Sequence, residues 1–406
     1  MNVRFLSASN AADLRARYGA LLDDAPAAAL AAAADARVLA VDLPLPPGLT
    51  EILERAGATV ALAGSSTLIA TTRAALERAS ASSAGARLAT LDLVRAFDRA
   101  AALPRELRVR ARSIALDGEA QVMGIVNVTP DSFYERVSGV EAAVAKTRAI
   151  VEAGATLVDV GGQSYAHWVA PISADQEAGR VVPAVRAIVD AGLDVAISID
   201  TFKAAVADAA LRAGAHLIND CSGLADAALP EVVARHGAGL VVMHLKGTLN
   251  VREPGRYRYR DALAEIVAFL YERTERALAE GVAPASIAVD PGLEFGKEPA
   301  TDLEILDRFG ELRTLGYPIL FASSRKSFIG RIFDRPASEL LVPSLATAAI
   351  GIAAGARLLR VHDVAETVQL ARMMAAIAPE RRAALAFAAR MPGTPEAGNS
   401  PTSGTV

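Results

Sequence analysis

The chain has 406 residues, 52% hydrophobic, 5% aromatic and 22% charged, with a formal net charge of −4 and one cysteine. The length exceeds one ordinary domain of about 150 residues, and so apolar a composition with so little net charge excludes wholesale disorder. One cysteine excludes an intrachain disulfide and suits a reducing compartment, and a pI near 5.9 lacks the basic surplus of a nucleic-acid binder.

The N-terminus carries Arg4, Asp13, Arg15 and Arg17 without the apolar run and small-residue cleavage site of a secretory signal. The apolar stretch 27–34 falls short of the roughly 20 residues that a membrane span needs. The expectation is a cytoplasmic protein with neither membrane nor nucleic acid as partner. Residues 37–42 (RVLAVD) and 59–62 read as short strands, with a helical pattern at 50–56 between them. A Ser/Ala/Gly-rich stretch at 79–85 reads as a loop and 92–102 as a helix. Together these predict a small α/β domain over 1–107, and no motif in it carries recognisable chemistry. Pro104 and the basic run 105–112 mark its boundary or an edge strand leading onward.

From Gln121 the pattern becomes regular. Strand candidates fall at 121–128, 157–161, 196–200, 217–220, 240–244, 287–290, 318–323 and 358–362. Helical patterns lie between them, among others at 140–153, 203–213, 261–280 and 365–376. Several end at a glycine just past the last turn: Gly154, Gly192, Gly214 and Gly281. Alternating β and α with near-continuous apolar strands implies a parallel sheet covered by helices. Eight such strands predict a (β/α)₈ TIM barrel over 108–378, preceded by the small α/β domain. An open doubly wound sheet competes, but no G-x-G-x-x-G follows the first strand. The last helix, apolar at 368–377, offers a face for a homodimer. Residues 379–406 read as its end and a disordered tail.

Nearly every predicted strand finishes on a polar residue. The series is Asn127, Asp159, Asp200, Asn219 with Asp220, His244, Asp290, then Ser324, Arg325 and Lys326, then Arg360, His362 and Asp363. In a barrel those ends converge on the one face where active sites lie. A strand-end Asp is often only the N-cap of the next helix, and for Asp159 and Asp220 both readings stand. Lys, Arg and His are not N-cap residues, so the set as a whole reads as a site. Cations gather after strands seven and eight (Arg325, Lys326, Arg360 and His362), where barrels frequently bind phosphate. Guanidinium groups offer a bidentate fork to phosphate, and an ammonium offers a point charge. Asp159, Asp200, Asn219 and Asp290 suit a ring rich in N–H donors. The residues therefore predict a ligand with a phosphate end and a donor-rich ring end. The plainer alternative pairs Arg325 and Arg360 with Asp363 or Asp290 as structural bridges. Cys221 reads as a buried packing residue.

Eight segments of this chain resemble dihydropteroate synthase, in that family's order and over residues 109–376. They are 123–133 (MGIVNVTPDSF), 159–162 (DVGG), 198–201 (SIDT), 218–220 (IND), 243–247 (MHLKG), 290–297 (DPGLEFGK), 324–330 (SRKSFIG) and 360–364 (RVHDV). The resemblance implies a pterin-binding barrel and a transferase of folate biosynthesis. That transferase joins 6-hydroxymethyl-7,8-dihydropterin diphosphate to p-aminobenzoate, giving dihydropteroate and pyrophosphate. Carried over by motif, Asp200, Asn219, Asp290 and Lys326 would hold the pterin ring, Met243 would pack on it, and Asp159 would lie beside it. Asn127 would help ligate Mg²⁺ at the diphosphate, Arg360 and His362 would bind the diphosphate, and Ser324 would lie near the arylamine. Asp200, Lys326, Arg360 and His362 form the implied catalytic set.

Two loops depart from the family. After NVTPDSF the usual Ser-Asp-Gly-Gly is YERV at 134–137, and the usual Gly-Gly-Glu-Ser-Thr-Arg-Pro-Gly is GGQSYAHW at 161–168. The acceptor side thus reads as rebuilt, with Arg136 or His167 replacing the charge of the missing arginine. Tyr165 and Trp168 either stack on an arylamine or anchor the loop on the barrel rim. Glu294 stands where glycine is usual and adds a carboxylate near the ring. The alternatives are a paralogue that uses another arylamine or lacks catalysis, and a methyl-folate-dependent methyltransferase. The cations of SRK and RVHD argue against the methyltransferase, whose donor brings no diphosphate to neutralise.

Overall fold

The computed structural model describes residues 3–6, 37–41, 45–46, 48–63, 66–82, 84–101, 103–129, 139–165, 169–249 and 257–377. Arg136, His167, Trp168 and the 379–406 tail lie outside these residues.

The N-terminal part is a four-stranded antiparallel sheet of β1 (Val3–Leu6), β2 (Arg37–Val41), β3 (Thr59–Ala63) and β4 (Ser66–Thr71), in the order β1-β2-β4-β3. Helices α1 (Leu49–Arg55), α2 (Arg73–Ala81) and α3 (Ala84–Ala101) cover it. Leu53, Leu76, Leu93 and Phe97 from the helices pack with Leu39, Val41 and Ile69 of the sheet. The loop expected at 79–85 is instead the end of α2 and the start of α3. Its alanines favour helix more strongly than its serines oppose it. Thr72 caps α2, its Oγ1 accepting the Ala75 N–H at 3.1 Å. The unit meets the rest of the chain where Arg99 Nε donates to the Thr314 carbonyl at 2.8 Å.

The basic run 105–112 becomes a hairpin of β5 (Glu106–Val109) and β6 (Arg112–Ala115), turning through Arg110 at φ 58. The Arg110 guanidinium holds that turn by donating to the carbonyls of Leu211 at 3.0 Å and Ala215 at 2.9 Å. Its arginines alternate with Leu107 and Val109, which turn the other way.

The barrel strands are β7 (Gln121–Asn127), β8 (Leu157–Gly161), β9 (Ala196–Asp200), β10 (Leu217–Asp220), β11 (Gly239–Met243), β12 (Ile287–Asp290), β13 (Leu320–Phe321) and β14 (Leu358–Val361). They form one parallel sheet in the order β12-β11-β10-β9-β8-β7-β14-β13, and a parallel bridge from Val289 to Ile319 closes it. The outer ring is α4 (Val140–Glu152), α5 (Ala174–Asp190), α6 (Ala204–Arg212), α7 (Leu229–Arg235), α8 (Ala262–Ala279), α9 (Pro299–Asp307), α10 (Ser327–Phe333), α11 (Leu341–Ala354) and α12 (Val364–Ile377). All eight predicted strands and all four named helices are present within a residue or two of the expected limits, and strand seven is shorter than read. No described helix is long and apolar enough to cross a membrane.

The interior is layered. Leu107, Val109, Ile114 and Leu116 of the hairpin plug the lower end against Met123, Leu157, Ala196, Leu217, Val241, Ala288, Leu320 and Leu358, one from each barrel strand. Side chains on one face of a strand recur every second residue. Two positions on therefore stand Ile125, Asp159, Ser198, Asn219, Met243, Asp290, Ala322 and Arg360. Two further come Asn127, Asp200, Cys221, Ser324 and His362 among others. A dry floor thus gives way to a polar mouth within one turn of the pleat.

Candidate active site

A cavity of about 420 Å³ opens at the C-terminal ends of the strands, a size suited to a small-molecule ligand. Asn127, Tyr165, Asp200, Asn219, Met243, Asp290, Ser324, Lys326, Arg360 and His362 all line it. Asp159 does not. It lies beneath the lining with 0% exposure, where its Oδ2 accepts Arg360 Nε at 2.6 Å and Asn219 Nδ2 at 3.0 Å. Its placement corrects the expectation that Asp159 meets the ring: it orients two residues that reach the cavity.

Arg360 lines the cavity as the strand ends suggested, but part of its guanidinium is held by carboxylates. Its Nη2 donates to Asp200 Oδ2 at 2.7 Å, so the guanidinium bridges two carboxylates across the floor. Neither is the Asp290 or Asp363 partner of the plainer reading. Burial opposes the Arg360 charge, and the two carboxylates outweigh it and hold its pKa above the usual value. Burial pushes Asp200 up to about 7, opposed by Arg360 and reinforced by Asp159 and Glu177.

The remaining cations divide. Arg325 is structural, as one alternative held: its Nε and Nη2 grip Asp363 at 2.8 and 2.7 Å, and its Nη1 reaches the Ala337 carbonyl at 2.6 Å. His362 is not a fixed cation, because burial and the Arg360 charge push it down to about 4. Its Nδ1 lies 3.2 Å from Ser324 Oγ, which also accepts the His362 N–H. Lys326 points its ammonium at the Leu293 carbonyl, 2.7 Å away, over the Phe295 ring. Burial raises Asp290 against the opposing pull of Lys326.

Two strand-end residues prove to be scaffolding. Asp220 accepts Ser222 N at 2.8 Å, Ser222 Oγ at 2.6 Å and Leu224 N at 2.5 Å, so it fixes its own loop and is not the N-cap of α7, which is Ala228. His244 receives Lys297 Nζ at 2.9 Å and meets Phe269 edge-on. Lys297, which the sequence reading passed over, also donates to the carbonyls of Gly292 at 2.7 Å and Phe295 at 3.0 Å. Burial brings it down to about 7.

Residues 123–362 match the model of the family described as pterin binding enzyme. The chain belongs to that family. It is 35% identical to dihydropteroate synthase of Bacillus subtilis over 274 residues, covering 67% of this chain and 93% of the relative. The crystal structure of the Thermus thermophilus dihydropteroate synthase in complex with 4-aminobenzoate superposes with a TM-score of 0.60 at 36% identity, over 68% of this chain and all of that one. A Mycobacterium bovis protein named inactive dihydropteroate synthase 2 is 39% identical over 273 residues, 66% of this chain and 85% of its own.

Within this pterin-binding barrel, the loop after β8 is fastened from below. Lys203 Nζ donates to Gln163 Oε1 at 2.6 Å, the Ile172 carbonyl at 2.7 Å and Glu177 Oε2 at 2.6 Å, tying both ends of the loop to α5. Tyr165 stands in the cavity wall, its ring 6.0 Å from Phe202. Its hydroxyl is buried beside the Cys221 thiol, and burial, with Cys221 and Asp200 nearby, raises its pKa. Cys221 is buried as expected, yet it also lines the cavity. Its spacing of two from Asn219 was the signal for that. Glu294 lines the cavity, and its Oε1 is committed to Ser327 Oγ at 2.7 Å and Phe328 N at 2.5 Å.

A magnesium ion would find one protein ligand here. Among the described residues no group of three or more His, Cys, Asp or Glu side chains converges as a ligand set. Mg²⁺ commonly uses only one or two protein oxygens together with substrate phosphates. Gly161 keeps the space beside such an oxygen clear, since a Cβ there would stand 3.1 Å from Asn127 Oδ1 and 3.6 Å from Asp200 Cβ. The donor set fits.

Proposed function

We propose that this chain is a dihydropteroate synthase, condensing 6-hydroxymethyl-7,8-dihydropterin diphosphate with p-aminobenzoate. The observation that carries the reading is the convergence of Asp200, Asn219 and Asp290 with Lys326 and Arg360 on one cavity. Asp200 and Asp290 accept the ring N–H groups, Asn219 and Lys326 complete the hold on the ring edge, and Met243 packs on its face. In the reaction the bond from the exocyclic methylene carbon to the bridging diphosphate oxygen breaks, and its electron pair departs with pyrophosphate. The arylamine nitrogen then forms the new C–N bond and sheds one proton. Charge leaves the carbon and grows on the diphosphate, so ionised Asp200 and Asp290 favour the ring cation, and Lys326 and Arg360 favour the leaving group. His362, neutral, contributes a hydrogen bond rather than charge. Ser324, held on His362, belongs to the arylamine end together with Tyr165. Bound on Asn127 and the diphosphate oxygens, Mg²⁺ would supply further positive charge at the leaving group.

A cytoplasmic setting belongs to the same proposal, supported by the free Cys221 thiol. So does a homodimer. Lys326→Ala tests the site: kcat/KM for the pterin diphosphate should fall on the order of 100-fold with the melting temperature little changed. An unchanged rate would remove Lys326 from the site. A second reading, pterin binding without condensation, is favoured by Tyr165 in the wall where the family has threonine. Calorimetric binding of the diphosphate with no turnover would support it.

A further inference from the structure

Lys326 occupies the N-cap position of α10, with extended backbone at φ −67 and ψ 150 and no side-chain cap hydrogen bond. Ser, Thr, Asp or Asn at that position would bind the exposed N–H groups of the first turn, and a lysine cannot. The acceptor comes instead from the loop after β12. Glu294 Oε1 accepts both Ser327 Oγ, at 2.7 Å, and the Phe328 N–H, at 2.5 Å. The residue immediately before it, Leu293, accepts the Lys326 ammonium on its carbonyl at 2.7 Å. One dipeptide, Leu293–Glu294, therefore holds the lysine by its head and by the backbone just beyond it.

Glu294 is placed there at a conformational cost. Its φ of 72 is left-handed, a region that side-chain-bearing residues rarely adopt. Its own N–H is fixed by Asp302 Oδ1 at 2.8 Å, and Asp302 is fully buried. A glycine would take this backbone without strain, so the position makes sense as glutamate only if the carboxylate is used.

We propose that Glu294 is a positioning residue for Lys326, replacing the cap that the lysine cannot provide and fixing its ammonium in the cavity wall. The proposal rests on the synthase reading, and its test separates the two. The variants are Glu294→Gly, which removes the carboxylate and relaxes the backbone, Glu294→Gln, which retains an acceptor, Lys326→Ala, and Glu294→Gly with Lys326→Ala. The cycle is read on kcat/KM for the pterin diphosphate, or on its Kd if the protein binds without turnover, with melting temperatures alongside. Glu294→Gly should lower kcat/KM roughly tenfold and leave KM for p-aminobenzoate within about twofold. Glu294→Gln should recover the loss to within about threefold, and Glu294→Gly should change the Lys326→Ala enzyme less than about twofold. Equal losses in both backgrounds, or no loss from Glu294→Gly, would overturn the positioning role in an active enzyme. A wild-type protein that neither binds nor consumes the diphosphate overturns the functional reading itself, and the positioning role with it.

Discussion

A carboxylate buried beside an arginine titrates where burial and the ion pair come to balance, and for Asp200 that is about 7. Its ionised form is the one that favours a ring cation. As pH rises through about 7, kcat/KM for the pterin diphosphate should therefore climb with the slope of one ionisation and then level off. Asp200→Asn should lower the rate and erase that limb. A pH profile measured from about 5.5 to 9 checks it, and the same limb in the variant would assign it to another group. The stability sign runs the other way. The folded pKa is raised, so ionised Asp200 weakens the fold, and the penalty fades as pH falls from about 7 toward the unfolded value near 4. Residue type at a strand end was legible in the sequence, but the partner was not. Asp159 stands inside β8 and Asp220 ends β10; one anchors Arg360 across the barrel and the other binds its own loop. Only the closed sheet brings Asp159 and Arg360, 201 residues apart, into contact.

At the level of elements, strands buried on both faces must be apolar throughout, which is why all eight announced themselves. The hairpin at 106–115 was obscured because its outward arginines dominate the composition while Leu107 and Val109 do the plugging. Strand β13 is short because its neighbours pair only at Ile319 to Phe321. Helix α12 was read as a dimer face, but Val368 and Ala371 turn into the barrel, and Met373 and Ile377 are the residues left exposed. Val342 and Ile350 of the adjoining α11 are exposed as well, Val342 at 74%. Apolar surface of this kind is costly in water, so these two helices are expected to pair with those of a second copy. Sedimentation should give the mass of two chains, and Val342→Glu with Ile350→Glu should return it to one. A wild-type monomer would contradict the pairing.

For the whole molecule, the decisive fact is that a parallel barrel delivers eight strand ends to one rim while the hairpin seals the other. The polarity gradient along each strand then needs only a period of two to turn a dry floor into a cavity for a charged ligand. The N-terminal sheet touches the barrel through α3 and the 309–315 turn, and none of its described residues lines the cavity. The most direct test of the account is pyrophosphate release by the purified protein given the pterin diphosphate and Mg²⁺, with and without p-aminobenzoate. The account predicts release that depends on p-aminobenzoate and matches dihydropteroate formed, mole for mole. Tight binding of the diphosphate with no release under either condition would contradict it.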